Sequence, residues 1–361
     1  MFNLIHSSTL GRQGEIETEH GNIQTPFFMP VGTTGAMKGL SHKDILDLKS
    51  QILLCNTYHL HVQPGDKIIN KAGGLHKFIG WEKPILTDSG GYQVFSFGKD
   101  GRMKVEKNGV KFKCHIDGRP LFIGPKESIE IQHNLGSDII MVFDECPPST
   151  ASRKNIESAV ETTLRWAKKC KMQNEKYKKK NKGKGPLLFG IVQGGLERDL
   201  REKCVEELIA IGFDGYALGG LAVGESEKEM LSVVKNITPL LPENSPRYLM
   251  GVGMPHQIEA CVKMGIDMFD CVLPMRIARH GTIFLSNGKE IRIQNAKYKT
   301  DHTVIDESSP SELGRTHLKS YLHHLFKAKE RYGETIACSQ NLGVVLKTMQ
   351  DIRSNLITHS L

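Results

Sequence analysis

A chain of 361 residues, 39% hydrophobic and 24% charged, has the composition of an ordinary globular protein with ample core, which excludes a disordered or fibrous chain. No apolar run approaches the roughly 20 residues needed to cross a bilayer, and the start Met1-Phe2-Asn3-Leu4-Ile5-His6 lacks the basic-then-apolar order of a secretory signal. The net charge is +8 and eight cysteines lie scattered without framework spacing, so the expectation is a reduced, cytoplasmic protein with no membrane partner.

Residues 1 to 25 read as short strands punctuated by Gly11, Gly14 and Gly21-Asn22, a hairpin lid preceding the main fold. A rhythm of continuous apolar runs then begins. The first three are Phe27 to Gly32, Ile52 to Thr57 and Ile85 to Gly90. The next five are Ile139 to Cys146, Leu187 to Gly194, Gly215 to Gly220, Tyr248 to Gly253 and Asp267 to Leu273. Runs that do not alternate mark strands buried on both faces of a parallel sheet. Helical spacing fills most gaps, at Ser41 to Lys49, Asn155 to Lys169, Leu196 to Ile211, Ser226 to Leu241 and His256 to Met264. Eight such strands alternating with helices predict an α/β fold, a (β/α)8 TIM barrel over residues 1–281. A doubly wound sheet is the alternative, but no Gly-rich phosphate loop follows the first strand.

Two intervals break the rhythm. Residues 94–135 carry turn signals at Lys107-Asn108-Gly109 and Asp117-Gly118-Arg119-Pro120, and alternation over Val110 to Ile116 predicts an inserted hairpin. Residues 282–361 are too long for a closing helix and read as an appended subdomain: a hairpin around Asn287-Gly288, then helices over His317 to Tyr332 and Asn341 to Ile357. Lys168 to Lys184 holds nine lysines against Glu175 alone, a solvated face by composition, with a phosphate-contacting patch as the alternative.

In a barrel the strand ends converge on one face. That face would gather Asp88-Ser89, Asp144, Gln193, Gly219-Gly220 and Asp270, with Tyr92 and Met250 nearby. Two carboxylates, Asp88 and Asp270, permit nucleophilic and acid/base roles in a retaining glycosyl transfer. Asp144 and Gln193 offer acceptors and donors for the edge of a planar heterocycle, Tyr92 a stacking face, and Arg276 and Arg279 cations for an anionic substrate. No hydroxyl–imidazole–carboxylate set at hydrolase spacing appears.

These residues resemble the tRNA-guanine transglycosylases (queuine tRNA-ribosyltransferases) of bacterial type. The resemblance is carried in order by Thr87 to Val94, Phe143 to Cys146, Val192 to Gly195, Leu218 to Glu225, Tyr248 to Gly253 and Asp270 to Arg276. It implies exchange of the wobble guanine of tRNA for a 7-deazaguanine base. Asp270 would be the nucleophile at the ribose, and Asp88 the proton acceptor for the incoming base. Asp144, Gln193 and the backbone at Gly220, Leu221 and Ala222 would bond that base, with Ser89, Gly90 and Gly91 beside it and Tyr92 and Met250 on its faces. The segments Gly251-Val252-Gly253-Met254-Pro255-His256-Gln257 and Met275-Arg276-Ile277-Ala278-Arg279 match regions that contact the anticodon loop. A homodimer is implied as well.

Three departures shape the expectation. Met275 and Ile277 stand where the family usually has Thr and Asn. Val223 stands where queuine-using relatives have glycine, which points to 7-aminomethyl-7-deazaguanine as the incoming base. The family's structural zinc ligands, Cys-x-Cys-x-x-Cys and a histidine 26 residues further on, align with Ser309, Ser311, Gly314 and Gln340, so no metal cofactor is expected. A catalytically silent RNA-binding subunit, or exchange into another nucleic acid, are the alternative functions.

Overall fold

Eight runs with hardly an exposed position form one parallel sheet that curls into a barrel, because a strand covered on both faces has no solvent side to alternate toward. The computed structural model describes residues 1–97, 103–148 and 151–358. Three antiparallel strands come first: β1 (Phe2–Ser8), β2 (Gly11–Thr18) and β3 (Gly21–Thr25). The barrel begins with β4 (Phe27–Met29), β5 (Leu53–Cys55) and β6 (Ile85–Thr87). An inserted antiparallel sheet follows, β7 (Met103–Glu106), β8 (Gly109–Lys113) and β9 (Pro120–Ile123). The barrel resumes with β10 (Ile139–Met141), β11 (Leu187–Val192), β12 (Gly215–Leu218), β13 (Arg247–Leu249) and β14 (Met268–Asp270). A last hairpin pairs β15 (Thr282–Phe284) with β16 (Glu290–Arg292).

Around the ring the order is β4, β14, β13, β12, β11, β10, β6, β5. The ring closes where Leu54 N–H donates to Pro30 O (2.9 Å) and Gly32 N–H to Leu54 O (2.8 Å), a parallel bridge between Val31 and Leu54. All eight predicted strands are therefore present in the predicted architecture. The inserted hairpin gains a third strand, β9, because Pro120 to Ile123 pairs with the free edge of β8. Among the described residues no helix is long and apolar enough to cross a membrane.

The N-terminal strands lie across the barrel floor, where the strands begin, and so form no lid over the mouth. The Arg12 guanidinium donates to Glu243 O (2.7 Å) and stands 3.6 Å from Asp267, both just ahead of barrel strands. Gln24 and Gln51 exchange hydrogen bonds at 2.8 and 3.0 Å ahead of β5. His20 Nδ1 meets Asp138 Oδ1 at 2.8 Å, and His76, stacked on His20 with ring centroids 3.6 Å apart, meets Asp138 Oδ2 at 3.1 Å. Ile85 N–H adds a bond of 2.8 Å to the same carboxylate. One buried aspartate thus ties the N-terminal sheet, the helix at residues 75–79 and the start of β6 together.

Helix boundaries differ most from expectation at three places, one being the helix expected over His317 to Tyr332, which spans Lys319–Ala328, with Tyr332 already in the last helix. The helix after β10 runs from Arg153 to Lys180, so most of the lysine run continues it. Its far end sits at the floor, where Lys178 pairs with Asp214 at 3.6 Å. The lysines therefore lie at the end of the barrel away from the converging strand ends. The last helix spans Arg331–Thr358 and begins ten residues before the expected Asn341. It returns to the barrel and packs on β4 and on the helix Pro255–Lys263, and Arg353 donates to Pro26 O at 2.5 Å. It is the barrel's eighth covering helix. Residues 282–330 form the added part.

The Asp138 cross-link generates a stability test. Burial alone would raise its pKa, but the bonds from His76, His20 and Ile85 N–H hold it below the ordinary carboxylate value. Its contribution is then complete above the unfolded pKa near 4 and is lost as the pH falls through the lower folded value. Asp138→Ala is expected to cost about 3 kcal/mol at pH 7 in urea unfolding, with a flattened acid limb of stability.

Candidate active site at the carboxyl ends of the strands

Six neighbouring strands each present a functional group at the mouth, because each apolar run ends where the chain leaves the core. In ring order they are Asp88 after β6, Asp144 after β10, Gln193 after β11, Gly219-Gly220 after β12, Met250 after β13 and Asp270 closing β14. The two remaining strands, β4 and β5, separate Asp270 from Asp88.

Asp88 is buried and held by neutral donors. Thr57 N–H (2.9 Å) and Gly90 N–H (3.2 Å) donate to Oδ1, and the Asn56 amide and Gln93 Nε2 (2.9 Å) donate to Oδ2. Burial nevertheless pushes its pKa up to about 6. Asp144 accepts from Gln193 Nε2 at 2.8 Å and Ser89 Oγ at 3.2 Å, and burial raises it also to about 6. Asp270 is half-buried, and burial raises it against two opposing hydrogen bonds, from the Tyr248 hydroxyl (2.6 Å) and Gly251 N–H (2.9 Å). Among the described residues both of those donors go to Oδ1. Tyr248 is itself driven well above its ordinary pKa by burial and by the Asp270 charge, so it remains a proton donor.

The wall between Asp144 and Asp270 is made of backbone. Gly220 adopts φ +64°, and a Cβ there would lie 2.4 Å from Gln193 Oε1, so only glycine leaves the amide its place. Leu221 is buried beneath this turn, and the Glu225 carboxylate draws in Ala222 N–H and Val223 N–H (3.1 Å). Among the described residues Gln193 Oε1 is buried without a hydrogen-bond partner, an open acceptor beside Gly220. Tyr92 is 55% exposed and Met250 half-buried, which leaves both available to flank a planar group.

The two segments expected to contact RNA lie on the same face but are not uniformly accessible. Val252 and Gly253 are buried, and Gly253 packs against Cys271 and Pro274. Pro255 opens the helix Pro255–Lys263, with Met254 half-buried at its N-cap. His256 and Gln257 are turned to Glu227, at 3.2 and 2.8 Å. In the helix Leu273–Arg279, Met275 and Ala278 are buried, while Arg276 is exposed and Ile277 and Arg279 are half-buried. The departure at Met275 is therefore a packing change, and the side chains left for a polyanion are Arg276 and Arg279.

Several site residues escaped the sequence reading. Asn56 and Thr57 end an apolar run as Asp88 does, and that rule would have found them. Gln93 and Tyr248 lie inside the quoted motifs but carry no charge to draw notice. Arg201 had no signal at all, since it reads as a surface residue of an amphipathic helix. It is fully buried, donates to Gly195 O (2.6 Å), Gly219 O (3.0 Å) and Val192 O (3.3 Å), and burial lowers it to about 10. It pins both glycine turns of the wall.

The family model described as "Queuine tRNA-ribosyltransferase" matches residues 7–361. A protein named queuine tRNA-ribosyltransferase from Halothermothrix orenii is 48% identical over 354 residues, 98% of this chain and 92% of the relative. One of the same name from Clostridium perfringens strain 13 is 46% identical over 98% of this chain and 93% of its own length. Another from Solidesulfovibrio magneticus is 48% identical over 94% of this chain and 89% of its own.

The raised pKa of Asp144 predicts a functional residue held at a cost to the fold. A carboxylate whose folded pKa is raised binds its proton more tightly when folded, so stability falls as the pH rises from about 4 to about 6. Asp144→Asn removes the buried charge, and its carboxamide oxygen still accepts from Gln193 Nε2. It is expected to melt above wild type at pH 7.5, by up to about 2 kcal/mol, with the difference vanishing near pH 4. Differential scanning calorimetry at both pH values checks it.

Proposed function

The chain belongs to the queuine tRNA-ribosyltransferase family and is a transferase, a tRNA-guanine transglycosylase of queuosine biosynthesis; we propose that it replaces the wobble guanine of tRNA with 7-aminomethyl-7-deazaguanine by double displacement. The observation that carries the reading is the pair Asp88 and Asp270, on opposite sides of β4 and β5 at one barrel mouth and held only by neutral donors. Binding RNA alone would need neither.

Asp270 attacks the anomeric carbon of the flipped-out nucleotide. The glycosidic bond breaks and its electron pair leaves with guanine, which takes up a proton from solvent. The incoming base gives its ring N–H proton to Asp88 and attacks the same carbon. The bond to Asp270 then breaks, and its electron pair returns to the carboxylate. Two displacements at one carbon retain the configuration. Asp144 accepts from the N–H edge of the base, Gln193 and the Gly220 to Ala222 backbone bond the opposite side of that edge, and Tyr92 and Met250 flank its faces. Arg276 and Arg279, one turn beyond Asp270, meet the anticodon loop. Val223, half-buried in the turn tied by Glu225, narrows the pocket against the larger queuine. The protein works in the cytoplasm as a homodimer through the exposed apolar face of Leu318, Tyr321 and Tyr332.

Three measurements test this. Asp270→Asn is expected to lose exchange of labelled guanine by at least about 10⁴-fold and to trap no covalent RNA adduct, while Asp88→Asn loses exchange but still forms the adduct. Adduct formation by Asp270→Asn would overturn the assignment. Asp88 accepts a proton only when ionised, so kcat falls about tenfold per unit below pH 6. In side-by-side assays the aminomethyl base turns over faster than queuine, and the reverse order would overturn the base assignment.

A further inference from the structure

In this family, loop and helix residues at the positions of Ser309, Ser311, Gly314 and Gln340 hold a structural metal. Two hydroxyls, a glycine and a carboxamide supply no thiolate or imidazole, so the residues present do not fit that metal. Their geometry shows what they do instead. Ser309 Oγ donates to Gln340 Oε1 at 2.5 Å, and Ser311 Oγ shares a hydrogen bond of 2.7 Å with Ser339 Oγ. Gln340 Nε2 donates to Phe284 O (2.9 Å) and to Asp306 Oδ2 (3.0 Å), while Ser311 N–H returns to Ser309 Oγ (3.0 Å). Ser309, Ser311, Ser339 and Gln340 are all at least 95% buried, and the polar atoms of the Gln340 amide are matched. Ser311 is the N-cap of the short helix Glu312–Thr316, but its hydroxyl makes no capping bond and is engaged with Ser339 instead.

Gly314 completes the arrangement. A Cβ there would lie 1.9 Å from Gln340 Oε1 and 2.4 Å from Ser309 Oγ. The carboxamide occupies the space that a fourth ligand side chain would need. We propose that this buried hydrogen-bonded clamp replaces the family's metal and makes the fold independent of it. The clamp joins the same pieces a metal would join, namely the loop at residues 306–315 and the last helix, and adds β15 through Phe284. The Asp306 carboxylate extends it to Ser286 N–H (2.7 Å) and Ser286 Oγ (2.8 Å). Its position also reaches the catalytic end. Asn341, next along the helix, donates to Pro274 O and Thr282 O, each at 3.0 Å, and accepts from Phe284 N–H at 2.8 Å. The inference rests on family membership and is independent of the roles given to Asp88 and Asp270.

The test uses untagged full-length protein purified without added metal. Elemental analysis is expected to find under about 0.1 zinc per chain, and a strong chelator leaves both Tm and guanine exchange unchanged. Gln340→Ala removes the bonds to Ser309 Oγ, Phe284 O and Asp306 Oδ2 and lowers Tm by about 5 °C. The quadruple variant Ser309→Cys, Ser311→Cys, Gly314→Cys, Gln340→His rebuilds the metal set and binds one Co²⁺ with thiolate charge-transfer absorption. About one zinc per wild-type chain with chelator-induced loss of Tm would overturn the proposal. So would a Gln340→Ala protein that melts like wild type, or a folded quadruple variant that binds no Co²⁺. The first two results decide the matter even where the quadruple variant does not fold.

Discussion

The molecule depends on how it treats buried carboxylates, which differs between the two ends of the barrel. At the mouth, Asp88, Asp144 and Asp270 are held by amides, hydroxyls and backbone N–H groups, with no cation among the groups that shift them. Neutral donors fix an orientation without lowering the pKa far enough to offset burial, so these groups stay near the range where protons and electron pairs move. At the floor, Asp138 is gripped by two imidazoles and Asp267 stands beside Arg12. Both carboxylates join the N-terminal sheet to the strands, but only Asp138 is held below its ordinary pKa, whereas burial raises Asp267 to about 6 despite Arg12. The fold thus bears the cost of buried charge at the mouth and at Asp267, while Asp138 acts as the stabilising cross-link of the floor.

The fold was legible because parallel strands buried on both faces leave uninterrupted apolar runs, and each run's first polar residue marks the mouth. Asp88, Asp144, Gln193 and Asp270 were readable by that rule. The resemblance to a known family supplied the roles. What was illegible follows from physics that leaves no pattern. Arg201 is a buried cation whose partners are main-chain carbonyls, and carbonyls have no identity in a sequence. The last helix was seen only from Asn341 onward because residues 336–346 are buried without a break, among them Ser339, Gln340 and Asn341. A helix enclosed on all sides by barrel and added hairpin has no polar face, so its period disappears.

That enclosure explains the polar residues inside it. The helix Leu273–Arg279 packs on the last helix directly after Asp270, and its own carbonyls need partners where no water reaches. Asn341 serves Pro274 O, and Cys338 Sγ lies 3.7 Å from Met275 O. Burying Met275 at a position where the family usually carries threonine keeps this contact apolar between those two bonds. The last helix thus packs on the segment that carries Arg276 and Arg279, and Gln340 ties the same helix to Ser309, Phe284 and Asp306. Stability of the added part and positioning of the cations are one problem in this chain.

In the proposed double displacement, the hydrogen bonds on Asp270 bear on both steps. A carboxylate that forms an ester to ribose must be a fair nucleophile in the first displacement and a fair leaving group in the second. Donors on both oxygens would quiet the nucleophile, and donors on neither would leave the departing charge unsupported. Here Tyr248 and Gly251 N–H both address Oδ1, so the attacking lone pairs of Oδ2 meet no donor among the described residues. Once Oδ2 is bonded to carbon, Oδ1 becomes the ester carbonyl, already facing two fixed donors. As the second base attacks, negative charge returns to the carboxylate and those same bonds strengthen, without any group having to move. The asymmetry of two donors on one oxygen serves both displacements from a single geometry.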